Sequence, residues 1–205
     1  KKREAELAML QAQIHPHFVF NTLNTIASLS EFDPERMRRL LHMFSEFLRA
    51  RFQFRDMEEL IPVKEEMDFV RSYLYIEQIR YDDKLEVVWE TEDCEGYQTP
   101  FLTIQPLVEN ALEHGIMKRS RGGRIVIRTI RRGDRLEIAV EDDGTGMDAD
   151  EVKRALAEKP SLRSGIGLMN TNQRLRRHFG AGLSIKSAPG EGTVVSFIVS
   201  RKDQN

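Results

Sequence analysis

A chain of 205 residues, 40% hydrophobic and 31% charged, can bury a core of ordinary size, which excludes a disordered or fibrous protein and leaves one or two globular domains. Its 31 basic and 33 acidic residues nearly cancel, arguing against a nucleic-acid partner held by overall positive charge. The single cysteine, Cys94, rules out an internal disulfide or a cysteine-rich zinc site, and no apolar run reaches the roughly 18 residues of a bilayer span.

Residues 1 to 80 contain no glycine and are rich in Ala, Leu, Met, Gln, Glu and Arg, so they predict long helices with short connections. The opening Lys1-Lys2-Arg3-Glu4 runs straight into helical pattern, so an upstream part is expected. A first helix is predicted over about 4–29, interrupted at Pro16, and Asp33-Pro34-Glu35 supplies the cap and first-turn proline of a second, ending near Phe54. Pro62 starts a third, in which Met67, Val70, Leu74 and Tyr81 recur at helical spacing. Beyond Lys84 the pattern turns to short β-branched runs, and strands are predicted at 85–90, 124–130, 136–140, 183–187 and 194–199, with helices at 103–116 and 167–179. All thirteen glycines lie beyond residue 95, which places the ligand loops in the second half. The expected division is 1–60, helical, and 61–205, α/β.

Charge is segregated. Residues 36–55 hold six arginines and one acid, 82–95 seven acids and one lysine, and 117–135 eight basic residues and one acid. Solvated faces account for such blocks, but the third, between a helix and a strand, is placed to raise the potential around an anionic ligand.

Within the first helix, Gln13-Ile14-His15-Pro16-His17-Phe18-Val19-Phe20-Asn21 is the least ordinary stretch, because a mid-helix proline costs about 3 kcal/mol and calls for a compensating role. At about 100° per residue, Phe18, Val19, Leu23, Ile26 and Leu29 share one side while His17, Asn21 and Asn24 share the opposite, solvent side. His15 and His17, two residues apart, do not share a face and make a poor metal pair. A nucleophilic imidazole remains, and it needs an activated electrophile.

The second half offers one. In Ile104 to Gly115, Ile104, Val108, Ala111 and Leu112 form a core face, and Glu109, Asn110, Glu113 and His114 an opposite face whose oxygens suit Mg2+. In Leu136-Glu137-Ile138-Ala139-Val140-Glu141-Asp142-Asp143-Gly144-Thr145-Gly146, strand parity turns Asp142 inward with Leu136, Ile138 and Val140, a carboxylate that needs a donor. Ser164-Gly165-Ile166-Gly167-Leu168-Met169-Asn170 is a glycine turn opening a helix, and Gly190-Glu191-Gly192-Thr193 reads as a hairpin.

The order ENALEHG, EDDGTGM, GIGLMN, GEGT resembles the N, G1, G2 and terminal boxes of the GHKL ATP-binding fold of histidine kinases, and QIHPHFVFNTLN resembles the phospho-acceptor box of LytS/YehU-type sensor kinases. The resemblance implies an α+β architecture: an antiparallel helical hairpin forming a dimeric four-helix bundle, then a GHKL α/β sandwich binding ATP and Mg2+. It implies His17 as phospho-acceptor with Asn21 beside it, Asn110 as Mg2+ ligand with Glu109 next to the metal as proton acceptor, and Asp142 as acceptor for the adenine amino group. Gly144, Gly146, Gly165 and Gly167 then shape the nucleotide loops, and His114, Lys118, Leu168, Asn170 and Thr193 line them. The resemblance further implies a homodimer, a response regulator of LytR/AlgR type as partner, no direct nucleic-acid contact, and a cytoplasmic location below a membrane-anchored sensor region. Phe18 stands where many sensor kinases carry an activating acid, and the short aromatic-free segment between Gly146 and Gly165 implies a small ATP lid. A non-catalytic ATP-sensing dimer and another GHKL ATPase are the alternatives.

Overall fold

A computed structural model describes residues 16–53, 58–157 and 166–201. Helix α1 (Pro16–Phe32) and α2 (Pro34–Gln53) are joined through Asp33, whose Oδ1 accepts the Arg36 N–H at 2.9 Å. Pro16 is the first described helical residue, so an interruption there falls at the edge of the described chain, and His15 lies outside it. The hairpin is antiparallel: Phe18, near the start of α1, packs against Phe44 and Phe47, near the end of α2. The side of α1 that goes inward carries Phe18, Val19, Ile26 and Leu29 as expected, with Leu23 the exception. Phe18 and Thr22 are buried whereas Leu23 is exposed; Thr22 donates to the Phe18 carbonyl at 2.8 Å, which satisfies its hydroxyl inside the core.

A short strand β1 (Leu60–Pro62) leads into α3 (Val63–Tyr81), with Pro62 as cap residue rather than first-turn proline. Met67, Val70 and Leu74 are buried as predicted, and Tyr73 joins Phe18, Phe47, Phe69 and Phe101 in one aromatic cluster. This third helix covers the hairpin, so Leu40, Phe44 and Phe47 of α2 are buried within the chain. What remains exposed on α1 and α2 is Phe20, Leu23, Phe32, Leu41 and Phe52.

The second half is a mixed five-stranded sheet in the order β2-β4-β5-β7-β6, with β2 (Leu85–Thr91), β4 (Gly123–Arg132), β5 (Arg135–Asp142), β6 (Ser184–Ala188) and β7 (Gly192–Ser200). Only β2 and β4 run parallel. Strand β3 (Gln98–Pro100) pairs with β1 in a small separate ladder, and neither element carries enough alternation to be read from sequence. Alternation does the rest. Ile125, Ile127 and Thr129 of β4, Leu136, Ile138 and Val140 of β5 and Val195, Phe197 and Val199 of β7 face the helices, while Arg128, Glu137 and Glu141 face outward. Two helices follow β5: α5 (Ala149–Leu156), closed by an Asp148–Glu151 capping box and not anticipated, and α6 (Ile166–Phe179).

The charge blocks pair with one another. Arg128 bridges Glu90 of β2 and Glu141 of β5, Arg131 meets Asp93, Arg132 meets Glu137 and Arg119 meets Asp143. Four of the eight basic residues of that block therefore meet nearby acids instead of projecting their charge at a ligand; Lys118 and Arg121 are exposed.

Candidate functional site

The predicted site residues are carried by α4 (Gln105–Asn110), the β5–α5 turn, the start of α6 and the β6–β7 hairpin. Helix α4 does not run on evenly to Ile116. Over Ala111–Ile116 it widens into a π segment, with the Met117 N–H on the Leu112 carbonyl at 2.9 Å, a distortion common at functional positions. The widening occurs where the helix meets the β5–α5 turn: the Thr145 N–H donates to the Gly115 carbonyl at 3.2 Å and the Thr145 hydroxyl to the His114 carbonyl at 3.1 Å.

Asp142 lies at the end of β5 and turns inward as its parity predicts, 4% exposed, opposite Thr193 of β7. Its Oδ1 accepts the Gly144 N–H at 2.8 Å. Burial is the main cause that pushes its carboxyl up to about 6; the Gly144 and Thr193 N–H groups oppose the rise, and Asp143 and Glu141 add to it. Two glycines make this possible. A Cβ on Gly115 would lie 2.5 Å from Asp142 Oδ1, and one on Gly144 2.3 Å from the Gly115 carbonyl carbon. The role of Gly115 was not legible in sequence, because helix and loop meet only in the fold. Gly146, at φ +67, approaches the Ala188 carbonyl of the β6–β7 hairpin, so GEGT is both a hairpin and a wall of this site. Ser187 ties the wall together, accepting the Met147 N–H and lying 2.9 Å from the Thr193 hydroxyl.

A second cluster lies along α4. Glu109, Gly167 and Asn170 line one cavity of about 310 Å3, together with Arg51, Gln105 and Arg174. Asn110 is half-buried on the same helix, next to Glu109 and four residues before His114. The Leu168 side chain is in the core, which gives it a packing role. Gly165 lies outside the described residues. His17 and Asn21 form a pair of their own on the exposed side of α1: Asn21 Nδ2 is 3.1 Å from His17 Nδ1 and 3.3 Å from Nε2, so the amide restrains the ring without selecting one nitrogen.

What positions α4 was not foreseen. Glu66 of α3, with no exposed surface, accepts the N–H groups of Leu102, Thr103 and Ile104 at 2.9 to 3.0 Å, just ahead of the helix. Arg174 of α6 donates to the Phe101 carbonyl at 2.7 Å and to that of Leu102, which sits at φ +58. In sequence both read as ordinary charges on helix faces.

Also behind α4, Glu77 of α3 is buried against Arg80 at 2.7 Å. Burial pushes its carboxyl up to about 7, Arg80 opposes, and Glu113 and Glu109 add to the rise. A raised folded pKa means that the folded state holds the extra proton between about 4.5 and 7, so this group's contribution to stability falls as pH rises through that window. Urea denaturation from pH 5 to 8 is expected to show the wild type losing stability relative to Glu77→Gln; a relative gain would contradict the assignment.

The donor set on α4, one half-buried amide and a neighbouring carboxylate, suits a Mg2+ ion that keeps most of its ligands as water and phosphate. Among the described residues no group of three or more His, Cys, Asp and Glu side chains is arranged to hold a metal by itself. No helix among them is long and apolar enough to cross a membrane.

Comparison with known proteins agrees with this geometry. A family model described as Histidine kinase matches residues 5–85, and one described as Histidine kinase-, DNA gyrase B-, and HSP90-like ATPase matches residues 98–203. The sensor histidine kinase YpdA of Escherichia coli is 38% identical over 96% of this chain, and the sensor protein LytS of Staphylococcus epidermidis 35% over 98%. The chain spans about a third of the length of these relatives, 34% of each. Among solved structures, the histidine kinase domain of a blue-light activated kinase from Erythrobacter litoralis superposes with a TM-score of 0.51 at 21% identity, covering 100% of this chain and 96% of that one, a likeness of fold.

Proposed function

The chain belongs to the histidine kinase family, and on that premise we propose that it transfers the terminal phosphate of ATP to His17 and then to an aspartate of a response regulator. The carrying observation is Asp142, a carboxylate held in the core at a strand end, against its solvation cost, by glycines that let the α4 end and the β5–α5 turn close around it. Asp142 accepts the adenine amino group; Gly144, Gly146, Gly165 and Gly167 admit the nucleotide, and His114, Lys118, Asn170 and Thr193 line it. Asn110, with Glu109 beside it, would hold Mg2+, which when bound compensates phosphate charge.

Phosphoryl transfer rests on positioning and charge compensation. The unprotonated nitrogen of neutral His17 attacks the terminal phosphorus, and the bond to the ADP oxygen breaks with its electron pair leaving on ADP. The proton on the other ring nitrogen passes to a carboxylate, for which Glu109 is our candidate, and Asn21 holds the ring meanwhile. Residues 1–60 are the proposed acceptor and dimerisation segment and 61–205 the catalytic part, a division supported by the grip of Glu66 on the start of α4. The apolar residues left exposed on α1 and α2 support a homodimer. A LytR/AlgR-type regulator as partner and a membrane-anchored sensor region upstream complete the reading.

Incubation with labelled ATP tests it. An acid-labile, alkali-stable label on the protein is expected; ATP binding without any label would instead identify a nucleotide-sensing dimer.

A further inference from the structure

Helix α2 touches both ends of the proposed reaction with two residues one turn apart. Phe47 packs at a tilt against Phe18, the neighbour of His17, with ring centroids 5.0 Å apart. Arg51, four residues on and so on the same helix face, donates through Nη1 to Gln105 Oε1 at 3.3 Å, and Gln105 Nε2 donates to Glu109 Oε1 at 2.8 Å. Gln105 is buried, and all three side chains border the cavity that Gly167 and Asn170 also line. Arg51 is half-buried; burial lowers its pKa, with Glu109 and Glu66 pulling it back up, so these two acids act on the guanidinium. A surface arginine serving only solubility would not be placed so.

We propose that Arg51 is a positioning residue: through Gln105 it holds the Glu109 carboxylate in the orientation that phosphoryl transfer uses, and so ties that carboxylate to the helix that carries the packing of His17. The inference rests on the proposed function and on Glu109 lying at the reacting end of the nucleotide. The Arg51 N–H on α2 fixes the side-chain oxygen of Gln105, the amide then offers its N–H to Glu109, and the carboxylate loses rotational freedom. Nucleotide affinity does not depend on this chain of bonds; the rate of transfer does.

The test measures nucleotide affinity by equilibrium binding of a fluorescent ATP analogue, and autophosphorylation by single-turnover label incorporation at saturating ATP. Arg51→Met is expected to leave affinity within about twofold and to slow transfer about tenfold or more, with Arg51→Lys recovering part of the rate. In the double variant Arg51→Met/Gln105→Leu, the second change is expected to add less than about twofold, since either one breaks the same chain. Equal losses in affinity and rate, multiplying effects in the double variant, or a rate within twofold of wild type would each overturn the proposal. A wild type that takes up no label overturns the proposed function itself; a labelled wild type with an indifferent Arg51→Met overturns only the positioning role.

Discussion

His17→Gln is expected to abolish label incorporation while leaving nucleotide affinity unchanged, and Asp142→Asn to weaken affinity about thirtyfold or more and lose the label with it. The two separate because they sit on different elements, one on the exposed side of α1 and the other inside the sheet. Losing a charged acceptor for a buried hydrogen bond is worth about 2 kcal/mol, which sets the thirtyfold figure. Asp142 also makes a prediction of opposite sign for the free protein. Its carboxyl sits near 6 against an ordinary 3.8, so its ionised form at neutral pH costs the fold up to about 3 kcal/mol. As pH falls through 6 to 4 the fold recovers this amount while nucleotide affinity drops, because the acceptor is being protonated. Asp142→Asn is therefore expected to melt at pH 7 no lower than wild type and to show no affinity change between pH 5 and 7. Equal label in His17→Gln would move the acceptor to His15, and a destabilised Asp142→Asn would make the carboxylate a structural group.

Those two residues were legible in sequence because each obeys a local period. Strand parity from Leu136 turned Asp142 inward, and helical angle set His17 beside Asn21 on the wet side of α1. The strands were found for the same reason, to within a residue or two, wherever apolar and polar positions alternate. Properties that depend on what packs against what were not legible. The 3.6-residue pattern of α4 does not record that Gly115 lies against Asp142, nor does the pattern of α1 record that Thr22 is buried and Leu23 exposed. Nor does the pattern of α2 record that α3, separated from it by fewer than ten residues, covers Leu40, Phe44 and Phe47. The basic block misled in the same way: the partners of Arg128 are acids 38 and 13 residues away, brought alongside by the β2–β4 and β4–β5 ladders.

Glu66 is the extreme of that kind, and its removal is expected to be the most damaging single change to the fold. Four N–H groups, of Leu102, Thr103, Ile104 and Gln105, converge on one fully buried carboxylate, and Arg174 fixes the carbonyls of the same loop from the other side. Burial raises the Glu66 pKa, the N–H groups of Leu102, Ile104 and Gln105 lower it, and Arg174 lowers it further, so the carboxylate is the counter-charge of the guanidinium as well as the helix's acceptor. Glu66→Ala leaves several buried donors without an acceptor and removes one of the negative charges that offset the buried Arg174, a loss of about 3–5 kcal/mol. Glu66→Gln keeps one acceptor oxygen but turns an amide N–H2 toward the remaining donors, and falls between. Urea unfolding is expected to show the midpoint shifted accordingly, with the exposed Glu113→Gln within about 0.5 kcal/mol of wild type as the surface reference. Because the loop that Glu66 holds sets the start of α4, Glu66→Gln is also expected to weaken nucleotide binding at temperatures where the protein is still folded. A Glu66→Ala protein that loses less than 1 kcal/mol would mean that solvent or another group reaches these donors, and that α4 is held by its packing alone.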